Sequence, residues 1–377
     1  MTFWWSNDNY GQLLQAYALS HFIQKTGHEV ELIKYGFLSH PCMRFGETVV
    51  KAFAGSLRYE SKYKRHFDQF RQQQLKFTAR DYHSVNELIE SPPESEAMIC
   101  GSDQVWHYQH IPITWFMKRF TDAYMLNFGK DDCIRIAYAP SLGVTKIKQE
   151  ERAFVSKKLS RFKCIGTREK ASIPMVSAIC PSQVPVQWVP DPTLLLSTDD
   201  YDQLLDGCEL PVPEYFIYSL GNKSVLTGKQ VAAVLAAEHK VYSYTSCQYE
   251  NDYTANSAPR IEEWLYLMKN SSTIITNSFH GIMFSILFQT EFYYFPLVAE
   301  VKGADTRITS VLELLEIKGR ALSDTQDLLR IVREPQPKID WKAVTEKLDA
   351  FRETGHRFLS DALDNTSSEL PLGTQVT

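Results

Sequence analysis

The residues best suited to chemistry in this sequence stand directly after short apolar runs. His280 follows the β-prone run Thr273–Thr276 and the turn Asn277–Ser278, and Gly281 stands behind it. A helix that begins here would offer free N–H groups and a partial positive charge, which attract phosphate or carboxylate. The histidine could exchange protons with a bound anion, or it could simply cap and pack the helix. The position alone leaves both interpretations open.

Arginine and polar side chains follow other apolar runs. Arg168 comes after Cys164–Thr167, and arginine can hold a planar anion through two parallel hydrogen bonds or form an interdomain salt bridge. Asp103, Gln104 and Trp106 supply an acid, an amide and an apolar face that suit a sugar, although a polar turn under a packed tryptophan is the alternative.

Alternating β-type runs and helical patterns predict two similar α/β halves that would position these residues. The first half would cover residues 1–190 and the second residues 191–335, followed by a helix at 336–365 and a disordered tail at 366–377. Each polar set falls at the end of a predicted strand. Because ligands of parallel sheets bind at the carboxyl ends of the strands, we expect the sets to face a cleft between the halves.

The predicted elements follow from residue periodicity and turn residues. The strands are Phe3–Trp5 (a strand end), Val30–Ile33, Ala97–Cys100, Ile134–Ala139, Cys164–Thr167, Val186–Val189, Tyr215–Leu220, Val241–Thr245, Thr273–Thr276 and Phe292–Phe295. The helices are Gln12–Lys25, Glu151–Phe162, Lys229–Glu238, Arg260–Lys269, Gly281–Phe288, Ile308–Leu315 and Trp341–Leu363.

Composition places the chain among globular proteins. Its 377 residues are 44% hydrophobic and 23% charged, with a formal net charge of −5, which argues against a nucleic-acid partner. The seven cysteines show neither CxxC pairs nor zinc-finger spacing. We therefore expect reduced thiols, and we predict neither a disulfide framework nor a metal site.

Two features bear on location. There is no basic segment followed by an apolar one at the N-terminus, and no run approaches the ~20 apolar residues of a membrane span, so we expect a cytoplasmic protein. Residues 51–80 carry eight basic side chains against two acidic ones. A solvated helix face is the simpler interpretation. The alternative is a surface that meets an anionic substrate or makes peripheral contact with anionic lipid at the inner face of the membrane.

The chain has no GxGxxG, P-loop, HExxH or GxSxG sequence, which argues against a dehydrogenase, an NTPase, a zinc protease and an α/β-hydrolase. Instead, an ordered set of segments resembles the polysaccharide pyruvyl transferase family, over most of residues 1–320. The segments are NYGQLLQAYAL (Asn9–Leu19), GSDQVW (Gly101–Trp106), AYAPSLG (Ala137–Gly143), TREK (Thr167–Lys170), DPTLLL (Asp191–Leu196), EEWLYLMKNSSTIITNSFHGIMFSILF (Glu262–Phe288) and RITSVLELL (Arg307–Leu315).

The resemblance implies two Rossmann-like domains facing a cleft, similar to GT-B glycosyltransferases, with a C-terminal helix. It also implies a reaction in which pyruvate moves from phosphoenolpyruvate onto two hydroxyls of a sugar, giving a ketal and free phosphate. The sugar would belong to a cell-surface polysaccharide, or exopolysaccharide, or to its lipid-linked precursor. No cofactor is implied, because phosphoenolpyruvate is the donor substrate.

That reaction needs one acid–base group and several cations and N–H groups around the donor. His280 is the candidate acid–base residue, and Arg168 is the candidate clamp for the donor carboxylate or phosphate. The other donor-site candidates are Arg307, Ser278, Gly281, Ser141 and Gly143, with Lys302 as a weaker one. The acceptor-site candidates are Asn9, Tyr10, Asp103, Gln104 and Trp106.

One departure from the family pattern concerns the residues before His280. Some members read Arg-Leu-His where this chain reads Ser278-Phe279-His280, so another side chain must supply the missing cation, and Arg307 is the candidate. Two other functions stay open. One is a GT-B-type glycosyltransferase that uses a nucleotide sugar, and the other is a glycan-binding relative without catalysis.

Overall fold

The structure is a computed structural model that describes residues 8–36, 57–103, 105–106, 122–141, 149–221, 224–246, 258–296, 305–334 and 336–364. The expected strand end Phe3–Trp5 and the expected tail 366–377 lie outside these ranges. Within them, no helix combines the length and the apolar character needed to cross a bilayer.

The described chain opens with a helix and a small separate sheet. Helix α1 (Tyr10–Lys25) begins at Asn9, whose side chain accepts a hydrogen bond from the Gln12 backbone N–H at 3.1 Å. Strand β1 (Leu32–Tyr35) pairs in parallel with β2 (Phe77–Tyr82), a strand that the sequence patterns did not predict. Helix α2 (Leu57–Gln74) lies between these strands in the chain, and α3 (Val85–Glu90) follows them.

A four-stranded parallel sheet forms the centre of the first half. Its strands lie in chain order, so each new strand adds to the same edge: β3 (Ala97–Cys100), β4 (Ile134–Tyr138), β5 (Cys164–Thr167) and β6 (Val186–Trp188). The connecting helices are α4 (Gln149–Leu159) and α5 (Ile173–Ser177). The 3₁₀ turn Pro192–Leu194 and helix α6 (Thr198–Asp202) then lead to the second half.

The second half contains another four-stranded parallel sheet with a different strand order. Its strands are β7 (Tyr215–Leu220), β8 (Val241–Ser246), β9 (Thr273–Thr276) and β10 (Glu291–Tyr294), and their order in space is β10-β9-β7-β8. The chain therefore adds β8 on one side of β7 and β9 on the other. This reversal creates a switch point between β7 and β9, which is where open parallel sheets bind ligands.

Helices connect and follow the strands of the second sheet. They are α7 (Gly228–Leu235), α8 (Ile261–Asn270), α9 (Phe279–Leu287), α10 (Asp305–Leu314), α11 (Thr325–Arg333) and α12 (Trp341–Leu363). The two α/β halves with parallel sheets confirm the predicted fold class. The domain bounds at residues 190 and 335 remain a prediction.

The C-terminal helix α12 returns to the first sheet. Gly355 lies so close to β4 that a Cβ atom there would be 2.6 Å from the Tyr138 hydroxyl oxygen. Arg352 donates from Nε to the Leu194 carbonyl at 2.7 Å, and the Phe351 ring packs on Trp188 with centroids 4.4 Å apart. The last helix therefore ties the end of the chain to the first half.

One large apolar core extends across both halves. It joins buried side chains of α1, β4, β7 and α8, including Leu14, Ile136, Phe216 and Trp264. Because helix α1 is packed into this shared core, its polar side chains reach the strand ends of both sheets. Helix α1 thus becomes a wall of the candidate site.

Candidate active site

His280 lies where the second sheet ends at its switch point. The Asn277 side chain spans β7 and β9, accepting from the Leu220 N–H at 2.6 Å and donating to the Leu220 carbonyl at 3.0 Å. Ser278 then caps α9 by accepting from the Gly281 N–H at 3.3 Å. Helix α9 begins at Phe279, two residues earlier than the sequence patterns predicted, and His280 is 7% exposed.

Helix α1 covers the His280 ring through a glycine. A Cβ atom built on Gly11 would lie 2.0 Å from His280 Nδ1 and 2.3 Å from Cγ. Any larger residue at this position would overlap the imidazole, so the two helices can approach only at a glycine. The backbone at Gly11 therefore approaches the His280 ring closely.

Asp191 is the central acid of the site, and it was not among the predicted site residues. It follows β6 and is 3% exposed. Its Oδ1 atom accepts from the Thr193 N–H at 3.0 Å and from the Thr193 hydroxyl at 2.8 Å. Its Oδ2 atom lies 3.5 Å from His280 Nε2 and accepts from Gln15 Nε2 at 2.9 Å.

The surroundings of Asp191 keep its carboxylate ionised. Burial alone would raise the pKa of Asp191, but the charge and hydrogen bond of His280, the charge of Arg168 and the Thr193 N–H outweigh burial. Together they hold the pKa of Asp191 well below its usual range. A permanent negative charge therefore lies beside His280 and Arg168.

Arg168 comes from the end of β5 and is 2% exposed. Its Nη1 atom donates to Asp191 Oδ2 and to Ser102 Oγ, both at 3.2 Å. Its Nε and Nη2 atoms are buried and have no hydrogen-bond partner among the described residues, with Asp103 Oδ1 no closer than 3.9 Å to Nη2. Leaving such buried donors unpaired is costly, so they are suited to donate hydrogen bonds to an anionic ligand.

A second guanidinium group reaches the same place from α10. The Phe279 ring centroid lies 5.1 Å from Arg168 Cζ and 5.4 Å from Arg307 Cζ, within the range of cation–π contacts. Burial and, next, the charge of Arg168 lower the pKa of Arg307 to about 10. Two crowded cations favour an anion between them.

Other predicted residues form a polar layer around Arg168. Ser141 donates from Oγ to the buried carboxylate of Glu169, and the Ser141 N–H donates to the Asp103 carbonyl at 2.8 Å. Asp103 has a left-handed backbone, with φ of 89°, and its Oδ2 atom accepts from Gln12 Nε2 at 2.6 Å. Predicted donor and acceptor candidates therefore meet at the ends of β3, β4 and β5.

Two acceptor candidates are packed into the protein. Tyr10 is 0% exposed, donates from its hydroxyl to the Pro259 carbonyl and stacks on Trp264. Trp106 is 2% exposed and donates from Nε1 to the Tyr124 carbonyl at 3.2 Å, which matches the packed-tryptophan alternative. Asn9 acts as the cap of α1. The candidates Gln104, Gly143 and Lys302 lie outside the described residues.

The geometry agrees with a match to a known family. The family model for polysaccharide pyruvyl transferase matches residues 9–297, well over half of the chain. The chain belongs to the polysaccharide pyruvyl transferase family. This is a transferase family, and a polysaccharide acceptor fits it. The matched range contains the ends of both sheets, including Gly11, Arg168, Asp191 and His280.

Solved structures give only distant similarity to this family member. UGT2 of Phytolacca americana, in complex with UDP-2-fluoro-glucose and pterostilbene, has 15% identity and a TM-score of 0.31, covering 54% of this chain and 53% of its own. The UDP-GlcNAc 2-epimerase of Neisseria meningitidis has 10% identity and a TM-score of 0.44, covering 94% and 97%. Arabidopsis thaliana UGT89C1 has 12% identity and a TM-score of 0.44, covering 93% and 95%.

This pyruvyl transferase family member thus spans about half the length of the first of these structures. Similarity at this level says nothing about its activity or its site residues. Among curated proteins, no match is found. In the described ranges, no group of three or more His, Cys, Asp or Glu side chains is arranged to hold a metal ion.

Sequence patterns missed two residues of the candidate site. Asp191 begins the DPTLLL segment and follows a strand, which is the signal that identified Arg168 and could have identified Asp191. Gln15 is 1% exposed in the middle of α1, between the buried Leu14 and Ala16. A polar residue within such an apolar run is the signal for Gln15, because buried amides need polar partners.

Proposed function

We propose that this protein transfers pyruvate from phosphoenolpyruvate to two hydroxyls of one sugar, forming a ketal on a cell-surface polysaccharide or its precursor. The observation that carries the proposal is the buried Arg168 guanidinium, whose Nε and Nη2 donors lack partners among the described residues and which is bonded to the same carboxylate that neighbours His280. A small anion bound there would lie near an acid–base group. Membership of the polysaccharide pyruvyl transferase family supports the proposal of a pyruvyl donor.

The electrostatics of the site suit a donor with two anionic groups. Arg168 and Arg307 bring two cations to one ring, while the carboxylates of Asp191, Asp103 and Glu169 influence the pKa of Arg307. In a buried site, charge-assisted hydrogen bonds to phosphate and carboxylate are stronger than neutral ones. Arg307 thereby supplies the positive charge that some family members have as an arginine at the position of Ser278.

The chemistry requires three proton transfers, one onto C3 and one from each sugar hydroxyl, and one leaving group. A proton adds to C3 of phosphoenolpyruvate, C2 becomes electrophilic, and a sugar hydroxyl bonds to C2 while losing its proton. Phosphate leaves with the bonding pair of its C–O bond, and the second hydroxyl closes the ketal and releases another proton. We assign the proton transfers next to C2 and C3 to His280, and we assign charge stabilisation to Arg168.

A thermal-shift experiment tests the donor. A ligand that binds only the folded state, present at 100 times its Kd, stabilises a protein by roughly 2.7 kcal/mol, so phosphoenolpyruvate should raise the melting temperature measurably. The rise should disappear in Arg168→Ala and persist in Arg357→Ala, which removes an exposed arginine of α12. Stabilisation by UDP or GDP sugars alone would instead indicate a glycosyltransferase.

A turnover experiment tests the acid–base residue. With phosphoenolpyruvate and an acceptor glycan, His280→Ala should release no phosphate above background while keeping its cooperative unfolding. Phosphate release at the wild-type rate by His280→Ala would contradict the assignment of His280. Glycan binding by the wild type without any phosphate release would indicate a binding protein.

A further inference from the structure

Gln15 connects the carboxylate and the imidazole of the site. It lies on α1, four residues after Gly11, and is 1% exposed. Its Nε2 atom donates to Asp191 Oδ2 at 2.9 Å and makes a short hydrogen bond with His280 Nε2. Its Oε1 atom is buried and has no hydrogen-bond partner among the described residues. The NH₂ group of the amide therefore makes two hydrogen bonds, whereas its oxygen makes none with the described residues.

Asp191 determines which end of the amide points inward. If the amide were reversed, Oε1 would face the ionised Asp191 oxygen, and two acceptors would repel each other. The Gln15 NH₂ group instead offers one hydrogen to Asp191 and the other to His280. A nitrogen that accepts a hydrogen bond carries no proton, so the proton of a neutral His280 ring must be on Nδ1.

We propose that Gln15 is a positioning residue that orients the His280 ring and holds the proton of the neutral ring on Nδ1. A proton on Nε2 would point at the Gln15 NH₂ group, which is an unfavourable pairing of two donors. Asp191 Oδ2 lies 3.5 Å from Nε2 and would form an ion pair with a doubly protonated ring.

The charged groups around the ring support both states. Asp191 faces Nε2, and Arg168 shares the same Asp191 oxygen from the end of β5. Arg307, on α10, contacts the neighbouring Phe279 ring. The carboxylates of Asp103 and Glu169 interact electrostatically with Arg307. Gln15 is the uncharged partner from α1, so removing its amide changes the hydrogen bonding of the ring without changing any charge.

Nitrogen-15 NMR of histidine-labelled, full-length protein measures the proton position directly. The protein has ten histidines, and the His280 signals are those missing from His280→Gln. The wild type at neutral pH should give a pyrrole-like signal at Nδ1 and a pyridine-like signal at Nε2. The reverse assignment, with the proton on Nε2, would overturn the proposal, and this measurement requires no Gln15 variant to fold.

The variant Gln15→Met keeps the length of the side chain and removes the donor. Its His280 ring should lose the single tautomer, and the acid limb of the kcat/KM profile should move to higher pH by about one unit, because the neutral ring has lost one hydrogen bond. Gln24→Met makes the same change at an exposed position of α1 and should match the wild type.

A purely structural role of Gln15 would give a different result. Gln15→Met would then melt at a lower temperature while its tautomer and its pH profile stayed those of the wild type, which would refute the proposal. The inference deepens the proposed function, because it concerns the same histidine. The NMR measurement uses free protein, so a failure to bind phosphoenolpyruvate would refute the proposed function and leave the tautomer result unaffected.

Discussion

The contact between Gly11 and His280 predicts that a single added methyl group will remove activity while leaving most of the stability. In Gly11→Ala the new Cβ would lie 2.0 Å from Nδ1, whereas ordinary contact begins at 3.4 Å. The ring and α1 must therefore separate by roughly 1.4 Å, the difference between these distances, and a displacement of about 1 Å costs on the order of 100-fold in rate. We expect kcat/KM to fall about 100-fold.

The effect of Gly11→Ala on stability should be small because two terms oppose each other. Overpacking a core costs about 1–3 kcal/mol, while alanine in place of glycine in a helix contributes about 1 kcal/mol in favour of folding. For a chain of 377 residues, the net destabilisation of about 0–2 kcal/mol corresponds to a melting temperature lower by at most about 3 °C. Circular dichroism melts and phosphate-release kinetics on the same preparation measure both quantities.

A matched control separates steric strain from loss of the site. In Gly228→Ala the Cβ would lie 2.5 Å from Ser219 Oγ, a comparable overlap at the start of α7 that does not involve His280. Its melting temperature should fall as in Gly11→Ala, with kcat/KM within a few-fold of wild type. Full activity in Gly11→Ala, or equal losses in both variants, would refute the reasoning.

Three further predictions concern the neighbours of the site. Asp191→Asn should destabilise the protein by about 3–5 kcal/mol in urea unfolding at pH 7, since it leaves the Arg168 charge buried and unpaired. Because the pKa of Asp191 is lower in the folded state, its contribution is present above the unfolded pKa of ~3.9 and is lost at more acidic pH, and Asp191→Asn should lack this acid-dependent loss. Phe279→Leu removes two cation–π contacts of about 0.5–1 kcal/mol each and should raise KM for phosphoenolpyruvate roughly 5- to 30-fold, whereas an unchanged KM would exclude this role. Burial raises the pKa of the Cys100 and Cys164 thiols to about 12, so mass spectrometry should find neither alkylated by iodoacetamide at pH 8 until the protein is unfolded.

The elements of the fold were predictable where strands are short, apolar and bounded by turn residues. Strands Ala97–Cys100, Tyr215–Leu220 and Thr273–Thr276 have the predicted bounds, as does the helix Trp341–Leu363. Strand β2 was missed, because three exposed residues separate its two buried residues, Thr78 and Tyr82, and the strand lacks a continuous apolar run. The docking of α12 on the first sheet was also missed, since its contact rests on a glycine and two aromatic rings.

The site was predictable only as far as strand ends reveal it. His280, Arg168 and Ser141 follow predicted strands, and the parallel sheets bring such positions together without any further information. The partners of these residues could not be found in this way. The Asp191–His280 contact depends on how one half packs against the other. Gln15 lies inside a helix between the apolar residues Leu14 and Ala16, so no reactive or charged neighbour marks its position.

This division explains why activity and stability should respond differently to changes in α1. The helix supplies buried apolar side chains such as Leu14 to the core shared by both halves, and it also supplies Gly11 and Gln15 to the His280 ring. Truncating Leu14 would remove packing in the shared core, whereas changes at Gly11 and Gln15 would act on the His280 ring that they contact. His280, the candidate acid–base residue, follows a strand of the second sheet and Asp191 follows a strand of the first, and α1 contacts both of them.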